Sequence, residues 1–228
     1  MGGRAIEAPT SHADGKDRLK ITEVFFSIQG EAQFSGWPTV FVRLTGCPLR
    51  CRYCDTAYAF TGGEWRDIDS IVEEVAAYDT RHVCVTGGEP LAQSRCLDLL
   101  TALCDRGYEV CLETSGALDI SEVDPRVYRV VDVKTPGSGE VERNRWKDLE
   151  VLRAGQDSVK LVICHREDYD WARAALAERI QVACPVFFSP SHGELDPAAL
   201  AAWILEDRLA VRLQVQLHKV LWGDVPGR

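Results

Sequence analysis

TVFVRLTGCPLRCRYCDT, Thr39 to Thr56, begins as a β-branched apolar run and ends in a loop carrying Cys47, Cys51 and Cys54. The run reads as a buried strand, and the glycine and polar residues after it mark where the strand stops. The same plan recurs down the chain. HVCVTGGEP (82–90), YEVCLETSG (108–116), VYRVVDVKTPGSG (127–139), SVKLVIC (158–164), PVFFSPSHG (185–193) and VRLQVQLHK (211–219) each join an apolar run to a polar, Gly- or Pro-marked end, and ITEVFFSIQGE (21–31) adds an earlier strand. Between them, Asp67 to Tyr78, Leu91 to Arg106, Arg166 to Leu176 and Asp196 to Glu206 show apolar residues three and four apart, with Asp67 and Asp196 as expected N-caps. Strands alternating with helices imply right-handed βαβ units on a parallel sheet, and seven such strands predict an α/β fold built as a partial, TIM-like β/α barrel. The irregular pattern after the third strand predicts shortened or missing helices there. Residues 1–18 are small, polar and aperiodic and read as a disordered tail, leaving 19–228 as a single domain.

The chain has 228 residues, 46% hydrophobic, with a formal net charge of -9. That charge argues against a nucleic-acid surface or an anionic membrane as the main partner, since both need clustered Lys and Arg, and favours a small molecule. No apolar run approaches the roughly 18–20 residues of a spanning helix, and the N-terminus lacks the apolar core of a secretory signal, so a cytoplasmic location is expected. Of nine cysteines, six stand apart from the trio. Cys84, Cys104, Cys111, Cys164 and Cys184 lie among apolar neighbours and read as core residues, and Cys96 opens a helical pattern.

In a parallel β/α barrel the active site gathers on the loops after the strand C-termini, and the unusual polar clusters of this sequence fall there. A structural zinc site wants four N or S ligands, and no fourth stands at companion spacing, although a remote one such as His165 is compatible with the sequence. A [4Fe-4S] cluster held by three thiolates keeps one iron open, as a catalytic centre requires.

The C-x3-C-x-Tyr-C loop, followed one strand later by GGEP, resembles the radical S-adenosylmethionine superfamily. The resemblance implies that Cys47, Cys51 and Cys54 hold a [4Fe-4S] cluster whose open iron binds S-adenosylmethionine, and that reductive cleavage of the sulfonium releases a 5′-deoxyadenosyl radical. It places Gly87, Gly88, Glu89 and Pro90 at the methionine amino group, where small residues admit the cofactor. The wider stretch FFSIQGEAQFSGWPTVFVRLTGCPLRCRYCDT, with the terminal LHK, resembles the 7-carboxy-7-deazaguanine synthase family over about Lys20 to Trp222. Glycyl-radical activating enzymes share the middle motifs, and a zinc-binding structural module is the non-enzyme alternative.

That family acts on 6-carboxy-5,6,7,8-tetrahydropterin, losing ammonia to give 7-carboxy-7-deazaguanine, the deazapurine precursor of queuosine. The resemblance implies a carbon–nitrogen lyase, a homodimer, and an electron donor such as flavodoxin or ferredoxin. Arg43 suits the substrate carboxylate, with His218 assisting, and Gln29 and Glu31 on the SIQGE turn suit the pterin edge. Gly30 and Thr86 complete the expected substrate set. Thr56 is expected to ligate Mg²⁺, a metal that prefers oxygen and retains water, or else only to cap a turn. Glu113, Thr114, Ser115, Lys134 and Ser138 are expected at the methionine carboxylate and ribose of the cofactor, and Ser189 at its ribose or adenine. The tail VLWGDVPGR leaves open which of Asp224, Pro226 or Arg228 approaches the site.

Overall fold

The structure is a computed structural model that describes residues 18–223, 225 and 227. The expected tail, from Met1 to residue 17, and the three C-terminal candidates Asp224, Pro226 and Arg228 lie outside the described residues. Arg18 opens the first strand instead of closing the tail.

Nine strands form one sheet: β1 (Arg18–Ile28), β2 (Pro38–Leu44), β3 (Glu64–Asp67), β4 (His82–Gly87), β5 (Glu109–Thr114), β6 (Tyr128–Asp132), β7 (Ser158–Ile163), β8 (Val186–Pro190) and β9 (Arg212–Leu213). Their order is β3-β1-β2-β4-β5-β6-β7-β8-β9, so the sheet stays open, a partial barrel. Every pair from β2 to β9 is parallel, whereas β1 and β3 extend the edge antiparallel. β3 was not foreseen, because EWRD is almost wholly exposed and owes its strand state to pairing with β1.

Helices α1 (Ile68–Ala76), α2 (Cys96–Asp105), α3 (Arg166–Glu178) and α4 (Pro197–Asp207) cover the outer face, and a short α5 (Leu217–Trp222) is the last described element. Asp196 caps α4 through its side chain, which accepts from Ala198 N, with Pro197 at the first helical position. Asp67 occupies the N-cap of α1 but makes no cap bond; its carboxylate pairs with Arg18 at 3.4 Å. No α-helix lies between β5 and β6, joined by bends and turns, or between β6 and β7, where three 3-10 turns do the crossing, as the irregular pattern foretold. VRLQVQLHK is a strand only at Arg212–Leu213, and its LHK starts α5.

Period-two alternation gives the sheet two apolar faces. Val40, Val42 and Leu44 of β2, Val83 and Val85 of β4, Val110 and Leu112 of β5, and Val159, Leu161 and Ile163 of β7 pack outward under the helices. Phe41, Cys84, Cys111 and Val130 point inward to a smaller core with Phe25 and Phe34. The next inward positions toward the strand C-termini are polar: Arg43, Thr86, Glu113 and Asp132. The inner core therefore forms a floor, and the polar ring stands above it. The six cysteines outside the trio are all buried, consistent with apolar core roles. Among the described residues no helix is long and apolar enough to cross a membrane.

Candidate active site

The polar ring lines a cavity of about 340 Å³, the size of a small-molecule site. Cys47, Cys51 and Cys54 form one wall, half-buried and unpaired. Their loop is tied down through backbone: Arg52 N donates to Ser138 O at 3.0 Å, and Glu89 N donates to Gly46 O at 2.7 Å. Burial raises the Cys47 thiol and pushes Cys51 up to about 11, so metal binding must displace protons from them. No three His, Cys, Asp or Glu side chains among the described residues converge on a single-ion site. A cube offers separate corners to separate thiolates and makes no such demand.

Gly87 and Gly88 line the cavity, but their small size serves the fold. A Cβ on Gly88 would lie 2.6 Å from the Gly46 carbonyl carbon, and one on Gly87 would lie 2.8 Å from Leu44 O. Glu89, expected at the cofactor, is fully buried away from the cavity and accepts from Leu91 N, Thr114 Oγ1 and Ser115 N. It locks the GGEP turn to the end of β5. Pro90 begins the 3-10 turn beneath it. Thr114 reaches the cavity with its hydroxyl committed to Glu89. Ser138 does not line the cavity; its hydroxyl donates to Thr135 O and accepts from Glu140 N. By contrast Ser115 Oγ and Ser189 Oγ are buried, line the cavity and have no hydrogen-bond partner in the protein. Tyr53 OH and Asp132 Oδ1 share that state.

The facing wall gathers the expected substrate residues with one addition. Glu113, expected at the cofactor, accepts from Gln29 Nε2 at 3.1 Å and from Thr86 Oγ1 at 3.0 Å, which sets it among them. Gln29 Oε1 in turn accepts from Glu31 N. Arg43 is half-buried between Phe25 and Tyr58, and its Nε donates to Glu23 Oε1 at 2.7 Å, an oxygen that also accepts from Tyr58 OH. Glu23 thus holds one side of the guanidinium, and Nη1 reaches Gly87 O at 3.4 Å, so that Arg43 lines the cavity with its fork held at the wall. Gly30 does not line the cavity; its carbonyl accepts from Leu217 N, and a Cβ on it would strike His218. That contact brings α5 over the opening, so that His218, Lys219 and the preceding Gln216 line the cavity. Burial holds the His218 imidazole below its ordinary value.

Glu31 carries an ion pair to Lys160 of β7, and Gln216 Nε2 donates to its other oxygen at 2.7 Å. Burial opposes ionisation of Glu31, but the Lys160 charge outweighs it and holds the carboxyl down to about 2. Lys160 also lies 3.7 Å from Asp132, which Lys134 binds at 3.0 Å. Asp132 and Lys160 were missed, although a lone charge on the inward phase of an apolar strand signals them. Thr56 occupies the N-cap of a 3-10 turn (Ala57–Phe60) but makes no side-chain cap bond; its hydroxyl lines the cavity beside Asp55, 3.8 Å from Cys54 Sγ.

Comparison with known proteins adds three findings. The Radical SAM superfamily model matches residues 41–130. The chain is 48% identical over 208 residues to the 7-carboxy-7-deazaguanine synthase of Chlorobaculum tepidum, covering 90% of this chain and 94% of that one. It is 40% identical over 220 residues to the 7-carboxy-7-deazaguanine synthase of Koribacter versatilis, covering 90% and 97%. The crystal structure of QueE from Escherichia coli shares the fold with a TM-score of 0.70 at 24% identity, over 88% of this chain and 95% of that one.

Proposed function

We infer the function of this chain from its family: it belongs to the 7-carboxy-7-deazaguanine synthases, enzymes of the radical S-adenosylmethionine superfamily, which use a [4Fe-4S] cluster and S-adenosylmethionine. On that premise it converts 6-carboxy-5,6,7,8-tetrahydropterin to 7-carboxy-7-deazaguanine with loss of ammonia, as a carbon–nitrogen lyase. The observation that carries the reading is one cavity in which the cysteine trio faces a ring of Arg43, Glu113 and Glu31. The residues fit the cofactors: three unpaired thiols stand on one loop, and the buried, unpartnered hydroxyls of Ser115, Ser189 and Tyr53 stand beside it. Cys47, Cys51 and Cys54 hold the cluster, and Lys134, Ser115 and Ser189 hold S-adenosylmethionine. When bound, these groups supply one-electron cleavage and the hydrogen-atom abstraction that starts the rearrangement.

The remaining work belongs to the chain. The Nη end of Arg43 takes the substrate carboxylate, supported by His218. Glu31 and Glu113 accept N–H groups of the pyrimidine edge, with Gln29 and Thr86 fixing Glu113. Thr56 is a ligand for Mg²⁺, which would neutralise charge on the substrate oxygens. α5 excludes water from the reacting ring. No side chain is required as a nucleophile, and a flavodoxin or ferredoxin supplies the electron. The test is anaerobic reconstitution with iron and sulfide, then incubation with the tetrahydropterin acid, S-adenosylmethionine, Mg²⁺ and reductant. Mass spectrometry should show the deazaguanine acid and ammonia. A reconstituted protein that cleaves S-adenosylmethionine yet leaves the pterin untouched refutes the reading.

A further inference from the structure

Glu31, Lys160, Asp132 and Lys134 form a string of alternating charge along the cavity, from the β1–β2 turn to the cysteine wall. All four side chains are at most 15% exposed. The string sorts its own contacts. Lys134 binds Asp132 at 3.0 Å, against 3.7 Å for Lys160, so the Lys160 charge is left chiefly to Glu31. Each Glu31 oxygen then has one donor, Lys160 on Oε2 and Gln216 on Oε1, and each keeps acceptor capacity for a ligand. Without the lysine, burial would favour the neutral acid, which carries a donor and offers a different pattern.

We propose that Lys160 is a positioning residue that keeps Glu31 a double acceptor, and that it thereby selects a 2-amino-4-oxo pyrimidine ring over its 2,4-dioxo counterpart. The chemistry is complementary. The 2-amino and N3–H groups present two adjacent donors to a carboxylate, whereas the dioxo ring presents a donor beside a carbonyl. That carbonyl is repelled by a carboxylate but is met by a protonated acid. The inference rests on the proposed function, since it assumes that Glu31 meets the ring edge.

The experiment measures anaerobic binding by calorimetry of 6-carboxytetrahydropterin and its 2-oxo lumazine analogue to wild type, Lys160→Met, Lys160→Arg and the double variant Glu31→Gln/Lys160→Met. Wild type should favour the pterin by on the order of 100-fold or more, as expected when a built hydrogen-bonding site meets a mismatched edge. In Lys160→Met that ratio should fall at least about tenfold, mostly through weaker pterin binding, while Lys160→Arg should restore it to within about threefold. If the orphaned carboxylate unfolds the single variant, the double variant removes both charges and should still show the collapsed ratio. A folded Lys160→Met protein, or a folded double variant, with the wild-type ratio overturns the proposal. Wild type that binds neither ring overturns the proposed function itself, and with it this inference.

Discussion

Gly30→Ala adds one methyl group where the chain has no backbone need for glycine, since Gly30 is absent from the positive-φ positions. Its effect must therefore travel through what the new Cβ touches. The Cβ would lie 3.0 Å from both Cγ and the backbone nitrogen of His218, and closer still to its Nδ1. Ordinary contact between such atoms is about 3.5 Å, so the backbone must recede by about 0.5 Å and the Nδ1 edge of the ring by about 1.5 Å. Rotating the ring cannot relieve the clash with the backbone nitrogen, so α5 itself shifts and takes Gln216 off Glu31 and His218 out of the cavity. A displacement near 1 Å at a positioned group costs about 100-fold in kcat/KM, and overpacking of this kind costs about 1–3 kcal/mol in stability. Steady-state kinetics on the pterin should show the loss, carried mainly by KM. Reductive cleavage of S-adenosylmethionine without substrate should stay near wild type, because Ser115, Ser189 and the cysteines stand on another wall. In the double variant with His218→Ala the effects should be far less than additive, since both act through one helix. A folded Gly30→Ala protein with KM within about twofold of wild type, the size of ordinary measurement scatter against the expected loss, would show that α5 does not shape the substrate wall.

Gly88→Ala should lower cluster content instead of substrate affinity, because its Cβ would strike the Gly46 carbonyl that positions the cysteine loop; iron and sulfide analysis after reconstitution checks it, and full cluster occupancy contradicts it. Cys51→Ser should abolish the brown absorbance near about 400 nm expected of a thiolate-bound cluster, and an iron chelator should strip it from wild type, faster at low pH where protons compete for the thiolates. Asp157 is fully buried and accepts from Arg129 Nη2 at 2.6 Å and from the backbone nitrogens of Arg129 and Arg153. Asp157→Ala should cost about 3–5 kcal/mol in denaturant titrations, because Arg129 would remain buried and unpaired. Burial opposes ionisation of Asp157, but its arginine partners prevail and hold it below the ordinary value. Its contribution is therefore complete above about pH 4, near the unfolded value, and is lost as pH falls through the folded one, so a wild-type acid limb that persists unchanged in Asp157→Asn would contradict the assignment.

The loops after the strands were legible because apolar runs that stop at glycine or proline announce their own ends, and TVFVRLTG and HVCVTGG do so without ambiguity. What happens inside a strand was harder to read. SVKLVI looks like a continuous buried strand with a stray charge, yet two-residue alternation puts Lys160 on the inward face, one strand from Asp132 and in direct contact with Glu31. Only the tertiary arrangement of the strands and the β1–β2 turn makes those three neighbours. The same holds for Glu113: ETSG marks a strand end, but whether its carboxylate turns to the cofactor or to Gln29 depends on the approach of β1, which is far from Glu113 in sequence and is placed by its antiparallel pairing to β2. VRLQVQLHK alternates like a strand, and its alternation is overruled by three tertiary bonds. The Gln214 amide accepts from Ala32 N and donates to Ala32 O, and Leu217 N turns to Gly30 O. Those bonds anchor the chain to the β1–β2 turn and free it to begin α5. The residues that local pattern misplaced are thus those whose partners lie on distant segments, and they are also the ones that make the cavity: a floor of apolar side chains follows from strand periodicity, but a ring of matched charges requires the strands to have met.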